Sequence, residues 1–383
     1  MHDVAVAADA LPVDATVPAE HPPAARTLRF SFTGSGREYF RIWVVNLLLT
    51  LASLGIYSAW AKVRRLQYFD RNTVLAGARF DFHGSPKAIL RGRVLAVLLL
   101  AAYHYAFGIS VTAGLATIAV LLVSLPWLIR SALRFRLGHT SYRGLHFHFS
   151  GSVPMAYRVY LAPIAVFLLP GVLVAVYGET PWVTVAWLLY LGWPLMYAWM
   201  KHYQYGYVAY GDQASSNELT VPGFFGIYVR GSLLATSIVM VAFLAAVVAM
   251  PLGALMPAES AAVGIGVAVG AGMALMAYVL LGPYQQVRIL NLCLRHTSFP
   301  GVRLVSTLSA RGFARLQLKN LALTLLTLGL YRPFAVVSAY RYRLEHLALE
   351  VDEGFDHVVS RVTAGGGAAG DGAADFVGLD LSW

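Results

Sequence analysis

Eight stretches of the chain run without a charged residue and are dense in Leu, Val, Ala and aromatic side chains: about 42–61, 94–107, 111–129, 159–177, 182–200, 233–250, 261–281 and 321–330 with its flanks. A helix of roughly 20 apolar residues crosses a hydrocarbon core of about 30 Å, and it does so with every backbone group hydrogen-bonded internally. The pattern predicts an all-α polytopic membrane protein with six to eight membrane helices. It also predicts a flexible N-terminal arm over 1–27, a membrane domain over 28–350 and a flexible C-terminal tail over 351–383, whose Gly/Ala run ends in FVGLDLSW.

Charge sorts the connections between the apolar runs. Those after the second, fourth and sixth runs carry no Lys or Arg, only Glu179 and Glu259. The others hold the basic residues, among them Lys62, Arg64, Arg65, Arg71, Arg79, Lys87, Arg91 and Arg93, then Arg130, Arg134, Arg136, Arg143 and Arg158. By the positive-inside rule the basic connections are cytoplasmic, so the six central runs read as three hairpins hung from that side. The first and last runs do not fit so simply, because the first has Arg37 and Arg41 at one end and Lys62, Arg64 and Arg65 at the other. From Arg41 to Tyr57, as from Arg315 to Tyr331, the insert is 16 steps long. That is about 24 Å of helix, enough for a single crossing at most. Two alternatives stand: a short spanning helix, or a segment that dips in and returns with Gly55 and Gly329 near a bend.

A phrase recurs ahead of the apolar runs: FTGSGREYFR ending at Arg41, FHGSPKAILR at Arg91 and FSGSVPMAYR at Arg158, with weaker copies at Arg230 and Arg315. In four of them a Ser (Ser35, Ser85, Ser152, Ser309) stands six residues before the Arg, and Phe224 replaces it in the fourth copy. The segments from Asn72, His139 and His296 align without gaps, and NLLLTLASLGIY from Asn46 matches NLALTLLTLGLY from Asn320 at eight of twelve positions. Self-similarity at this scale predicts tandem units, here five, at about 32–81, 82–148, 149–220, 221–305 and 306–350. The serines suit helix N-caps, with Glu38 completing a capping box for Ser35 and Pro86 at a first helical position. The alternation in ARFDFHG and LHFHFSG predicts short cytoplasmic strands, able to pair between units beneath interfacial helices.

At this point the run from FTGSGREYF through LGIYSAWAKVR to NTVLAGARFDFHGS resembles the YjgN-like family of bacterial inner-membrane proteins, a likeness covering roughly residues 28–350. The resemblance implies a multi-pass inner-membrane protein and no particular activity. The last unit departs from the pattern with Arg332 and Pro333 where the first has Ser58 and Ala59.

Composition agrees with a lipid environment. Hydrophobic residues make up 58% and charged residues 13%, against about 25% charged in soluble domains, and the mean hydropathy is +0.62. A net charge of +10 is placed by the connections at a membrane surface with anionic lipid, so membrane lipids rather than nucleic acid are the expected partners. The single Cys293 excludes an internal disulfide.

No catalytic residue, metal ligand or cofactor site is nominated. The repeated serines lack a nucleophile-elbow context, no phosphate loop or dinucleotide fingerprint occurs, and His83, His139, His146, His148, His202 and His296 have no Cys or carboxylate cluster beside them. Enzymatic activity is not expected. The candidate lipid-headgroup or phosphate site is the set Arg41, Arg91, Arg158, Arg230 and Arg315 with Ser35, Ser85, Ser152 and Ser309, since a helix N-terminus near a guanidinium suits an anion. Snorkelling and topology setting is the plainer role for these arginines. Asn46, Thr50, Asn320 and Thr324 are intramembrane polar residues, read as helix glue ahead of a transport site. A lipid-interacting scaffold or lipid-handling protein is the leading expectation, and a small-molecule transporter with a midplane polar site is the alternative.

Overall fold

The computed structural model describes residues 26–253 and 258–351. Helices and short strands alternate: β1 (Arg26–Phe32), α1 (Gly36–Ala52), α2 (Ser58–Arg71), β2 (Thr73–Leu75), β3 (Ala78–Phe82), α3 (Pro86–Ile109), α4 (Val111–Gly138), β4 (Thr140–Tyr142), β5 (Leu145–Phe149) and α5 (Val153–Tyr177). Then follow α6 (Pro181–Val185), a 3-10 turn, α7 (Trp193–Gly206), β6 (Val208–Tyr210), β7 (Gln213–Ala214), β8 (Ser216–Asn217), α8 (Val221–Gly253) and α9 (Ala258–Met276). A short π segment leads to α10 (Gly282–Arg295), β9 (Thr297–Phe299), β10 (Val302–Ser306), α11 (Ala310–Leu326), α12 (Arg332–Glu345) and β11 (Leu347–Val351).

The strands form one sheet in the order β7-β6-β5-β4-β3-β2-β1-β11-β10-β9-β8. Its two ends are consecutive in the chain, separated by Ser215 alone, so the covalent backbone closes the sheet into a ring. A closed sheet presents no open edge to another chain. The pairing rule is the same around much of the ring. In β3 the first residues pair backward (Leu75↔Ala78) and the last pair forward (Phe82↔Thr140); in β5 the corresponding pairs are Tyr142↔Leu145 and Phe149↔Val208. Strand β1 joins the two chain ends, through Arg26↔Val351 on one side and Phe32↔Thr73 on the other. The strands therefore take in Arg26 and Thr27, which the sequence reading gave to the N-terminal arm, and Val351, which it gave to the tail; the rest of both arms lies outside the described residues. An all-α description is also too narrow, because a single sheet of 11 strands underlies the helices.

Tight turns occupy one rim of the ring. Ala76 and Gly77, like Arg143 and Gly144, have positive φ, the backbone of a two-residue hairpin whose twist matches its strands. The helices leave from the other rim. Phe32↔Thr73, Phe82↔Thr140, Phe149↔Val208, Asn217↔Thr297 and Ser306↔Leu347 are strand pairs that bracket α1–α2, α3–α4, α5–α7, α8–α10 and α11–α12 respectively. Each helical excursion thus returns to the point where it left.

Six helical segments among the described residues are long and apolar enough to cross a membrane: Pro86–Ala106, Thr112–Gly138, Val153–Gly171, Pro181–Gly206, Val221–Pro251 and Val263–Arg295. The first and last apolar runs are different. Each is a helix of 17 residues, α1 or α11, that turns back at once into α2 or α12. The bends are near copies: Leu54 and Gly55 have φ of 51° and 92°, Leu328 and Gly329 50° and 93°. In each a Ser or Thr hydroxyl (Ser53, Thr327) accepts the backbone N–H of the Tyr four residues on, at 2.8 and 2.9 Å. Each run is thus folded back to the sheet from which it left rather than continuing straight.

Buried side chains concentrate where helices meet the ring. The phrase Phe-x-Gly-Ser has a packing cause there: Phe32, Phe82 and Phe149 are buried, and each ring lies over the Gly two residues later (Gly34, Gly84, Gly151), leaving no room for a Cβ. At the places set by the pairs Asn217↔Thr297 and Ser306↔Leu347, Asn217 and Ser306 replace Phe while Leu219 and Leu308 replace Gly and pack into neighbouring core clusters, so the fourth copy registers four residues earlier than the phrase ending at Arg230 implied.

Candidate functional site

The repeated serines act as caps. Ser35, Ser152 and Ser309 accept backbone N–H bonds from Glu38, Met155 and Gly312 at 3.2, 3.4 and 3.3 Å, while Ser85 holds the N-cap position without that bond, ahead of Pro86. Arg41, Arg91, Arg158 and Arg315 are each the sixth residue of their helix, and Arg230 is the tenth of α8. All five side chains are exposed. They stand on five different helices and converge on no common pocket among the described residues.

The polar residues inside the apolar runs bond locally. Thr50 and Thr324 donate to the carbonyls of Asn46 and Asn320, both at 2.6 Å. Asn320 donates to Ala335 O at 3.3 Å and Ser338 Oγ at 3.0 Å, tying α11 to α12 within one hairpin. The Asn46 Oδ1 atom is buried and unpartnered. Three histidines are helix terminators: Nδ1 of His139, His296 and His346 lies 2.8, 2.8 and 2.7 Å from the carbonyl four residues back. Asn72 makes the same closure at 2.8 Å. His83 Nε2 sits 2.9 Å from Ser141 Oγ across the sheet.

A cavity of about 290 Å³ with a mixed lining opens between α2, α11, α12 and the π segment before α10; its polar residues include Arg65, Arg332, Arg343, Gln317, Asn320 and Thr324, beside apolar ones such as Leu321, Val336 and Ala339. No Asp or Glu lines it. Arg343 is held from two sides: Nη2 donates to Gln286 Oε1 at 3.0 Å and the guanidinium lies 4.7 Å over the Phe313 ring. Its Nη1 is buried with no partner, and burial lowers its pKa to about 10. The nearest acid on α2, Asp70, is engaged by Arg136 at 3.5 Å. Burial raises the Asp70 pKa, an effect that Arg136 opposes and Asp81 reinforces. Sequence reasoning brought Asn320 and Thr324 to this place but missed the arginines. Arg343 carried one available signal: it precedes His346 by three residues, as Arg136 precedes His139, so it belongs on the helix flank next to the ring.

Two further spaces among the described residues are apolar. A groove of about 770 Å³ runs between α4, α5 and α7, floored by Leu121, Leu125, Ile129, Ile164, Phe167 and Met196. Tyr190 crosses beside it to donate to Phe167 O at 2.7 Å. Inside the ring, a space of about 200 Å³ is lined by side chains including Phe30, Phe80, Tyr142, Phe147, Tyr210 and Leu349.

Residues 27–376 match the family described as "Bacterial protein of unknown function (DUF898)". Three relatives carry the name inner membrane protein YjgN. Those of Escherichia coli O157:H7 and strain K12 are 34% and 33% identical over 130 residues, 32% of this chain and 31% of each relative. That of Salmonella typhimurium strain LT2 is 28% identical over 152 residues, 38% of this chain and 37% of the relative. The matched part thus spans about a third of these relatives' length. No solved structure matches the chain. With most of its length matched, the chain belongs to the bacterial DUF898 family of unknown function, alongside the YjgN-like proteins it resembles.

Proposed function

We propose that the chain is a lipid-interacting scaffold of the bacterial inner membrane, built from five tandem units and gripping anionic headgroups through Arg41, Arg91, Arg158, Arg230 and Arg315. The observation that carries this reading is their common setting: five exposed guanidinium groups, four of them at the same helical position, where helices leave the ring. Arginines at one level suit a plane of phosphates. The groove of about 770 Å³ between α4, α5 and α7 suits acyl chains beneath such headgroups. The inner-membrane names of the relatives and six membrane-capable helices support the location. The tandem units are supported by the common pairing offsets of β3 and β5 and by the twin bends at Gly55 and Gly329.

In this reading the ring and its basic connections face the cytoplasm, three helical hairpins span, and the two end hairpins dip into one leaflet with Leu54 and Leu328 at their tips. Those two leucines are each 95% exposed, a cost in water that disappears in lipid. Transport is the rival reading, and it draws on the cavity beside Asn320; of the four intramembrane polar residues only Asn320 and Thr324 line it, Asn46 and Thr50 being absent. Replacing the five arginines with Gln and measuring phosphatidylglycerol retained by the purified protein tests the scaffold. A sharp fall is expected, and unchanged retention refutes it. A tag after Glu179 reachable only from the cell interior would overturn the orientation.

A further inference from the structure

We propose that the aromatic interior of the sheet ring is the docking site of this chain's own segment Phe376–Trp383. The space of about 200 Å³ inside the ring is walled by cross-strand neighbours, among them the pairs Phe30↔Leu75, Phe80↔Tyr142 and Phe147↔Tyr210. Its lining takes in Gln213 and Pro300 beside two of the tight turns, and none of the residues whose pairs bracket the helices. The space therefore opens on the rim opposite the membrane-capable helices. Phe30, Phe80, Phe147 and Phe299 line it yet remain only half-buried. Aromatic surface gathered and left open in this way marks a place that something covers.

Size and polarity select the occupant. A dry cavity of about 150 Å³ accepts benzene, so this one takes a single aromatic side chain, and it lies below the roughly 300–1,000 Å³ of sites for whole small molecules. The Tyr142 and Tyr210 hydroxyls are already bonded to Leu75 O and Tyr142 O, at 2.8 and 2.9 Å. Gln213 is the one amide side chain in the lining, and a buried indole N–H asks for one such acceptor. The path of the chain supplies the indole. Strand β11 runs from Leu347, paired with Ser306 at the helix rim, to Val351, paired with Val302 beside the turn at Gly301. The chain thus leaves the sheet at the mouth of the space, with Val351 buried in the same cluster as Leu75, Tyr142 and Tyr210. Phe376 follows 25 residues later and Trp383, the one Trp beyond Val351, ends the segment. An extended stretch of that length reaches about 80 Å, so distance does not limit docking. Charge agrees: residues 352–383 hold six acidic side chains and one Arg, while the turn rim carries Arg79, Arg143 and Arg303 against Asp212 and Glu350. Opposite signs steer the segment toward the ring.

The test uses the full chain in nanodiscs. Val302→Cys places a thiol on the lining, native Cys293 being buried. Its alkylation by a soluble maleimide should quicken at least about tenfold when Phe376→Ser and Trp383→Ser are added, because a tethered segment holds the space at high effective concentration. In a second arm Trp383 is replaced by the photo-crosslinker p-benzoylphenylalanine, with the ring's sequence intact. Adducts on the lining, in the band of the single chain, are expected. Equal alkylation rates with and without the two serines overturn the proposal, as do adducts that fall only on other surfaces. Adducts at twice the chain's mass give the space to a second copy and overturn it as well. The crosslinking arm decides the matter where Val302→Cys fails to fold. Failure here leaves the five-arginine reading standing, because lipid retention is measured with different residues.

Discussion

Gly151→Ala tests whether the Phe-x-Gly-Ser phrase exists for packing. A Cβ built at Gly151 falls 2.5 Å from Phe149 Cε1, 2.6 Å from Phe149 Cζ and 2.9 Å from Tyr203 Cε2, against about 3.5–4.0 Å for unstrained carbon contacts. Neither ring has room to retreat. Both are buried, they meet edge to face at 5.1 Å, and the Tyr203 hydroxyl is tied to Ser152 O at 3.1 Å. Overpacking of this kind costs about 1–3 kcal/mol. The loss of unfolded-state freedom on replacing Gly returns about 0.4–1 kcal/mol, so a net loss of about 1–2 kcal/mol is expected. Equilibrium denaturation in detergent micelles, followed by near-ultraviolet circular dichroism, measures it. Phe149→Leu alone lowers stability by about 1 kcal/mol; in that background Gly151→Ala should become nearly neutral, a coupling of about 1 kcal/mol or more. Phe149→Ser with Gly151→Leu copies the Ser306 and Leu308 pair found before α11 and should be better tolerated than Gly151→Leu alone. Equal losses from Gly151→Ala in both backgrounds would refute the packing argument.

The remaining predictions concern the end hairpins and the sheet. Cysteine at Leu54 or Leu328 should resist membrane-impermeant maleimides from either side yet be quenched by lipid-borne spin labels; native Cys293 is fully buried and contributes little background. Gly329→Ala, at φ 93°, should cost about 1 kcal/mol in the same denaturation assay, and no loss would mean the bend relaxes. For Asp81, burial pulls its pKa up, but the Arg71 and Phe82 hydrogen bonds and the Arg71 and His83 charges outweigh it, so the folded value lies below the ordinary carboxylate range. Its contribution is therefore present above the unfolded pKa of about 4 and fades as pH falls through the lower folded value. Because the Arg71 and Asp81 side chains are 56% and 34% exposed, Asp81→Asn should remove less than about 1 kcal/mol at neutral pH. A pH–stability curve of the variant that keeps the wild-type acid slope would show that other carboxylates govern it.

Much of the membrane part was legible because charge-free runs are long and their flanks carry the arginines. The capping serines were legible for the same local reason: Ser35, Ser152 and Ser309 bond a backbone N–H three residues away. The ring was only half legible. Strands of three residues such as Thr73–Leu75 are too short to show alternation, and β7–β8 carries Ala214, Ser215 and Ser216 where β5 has His146, Phe147 and His148. Closure depends on Arg26↔Val351, a pairing between the two ends of the described chain that no local pattern encodes. The arginine cavity was hidden for a similar reason. Arg65, Arg332 and Arg343 are read in sequence as topology markers in basic connections, and only the adjacency of α2 to α12 makes them a group.

Where the folding free energy resides bears on the proposed lipid role. In the six membrane-capable segments only 6–28% of each window is buried within the protein, and lipid tails give apolar helices no hydrophobic reason to associate. The buried aromatic clusters lie instead at the helix bases, around Phe32, Phe82, Phe149, Phe224 and Phe313, next to the closed sheet. A ring that fixes ten helix ends from below lets the upper parts of the hairpins stand apart without unfolding. Under the proposed lipid role the interstices, of which the groove of about 770 Å³ is one, would be occupied by lipid tails, since empty apolar space of that size forfeits its dispersion contacts. On this argument bound lipid completes the packing, and stripping it with harsh detergent should loosen the hairpins around α4, α5 and α7 while the ring's amide protons stay protected from exchange. Uniform loss of protection in sheet and helices alike would place the stability in the bilayer region and remove the reason for lipid to be structural.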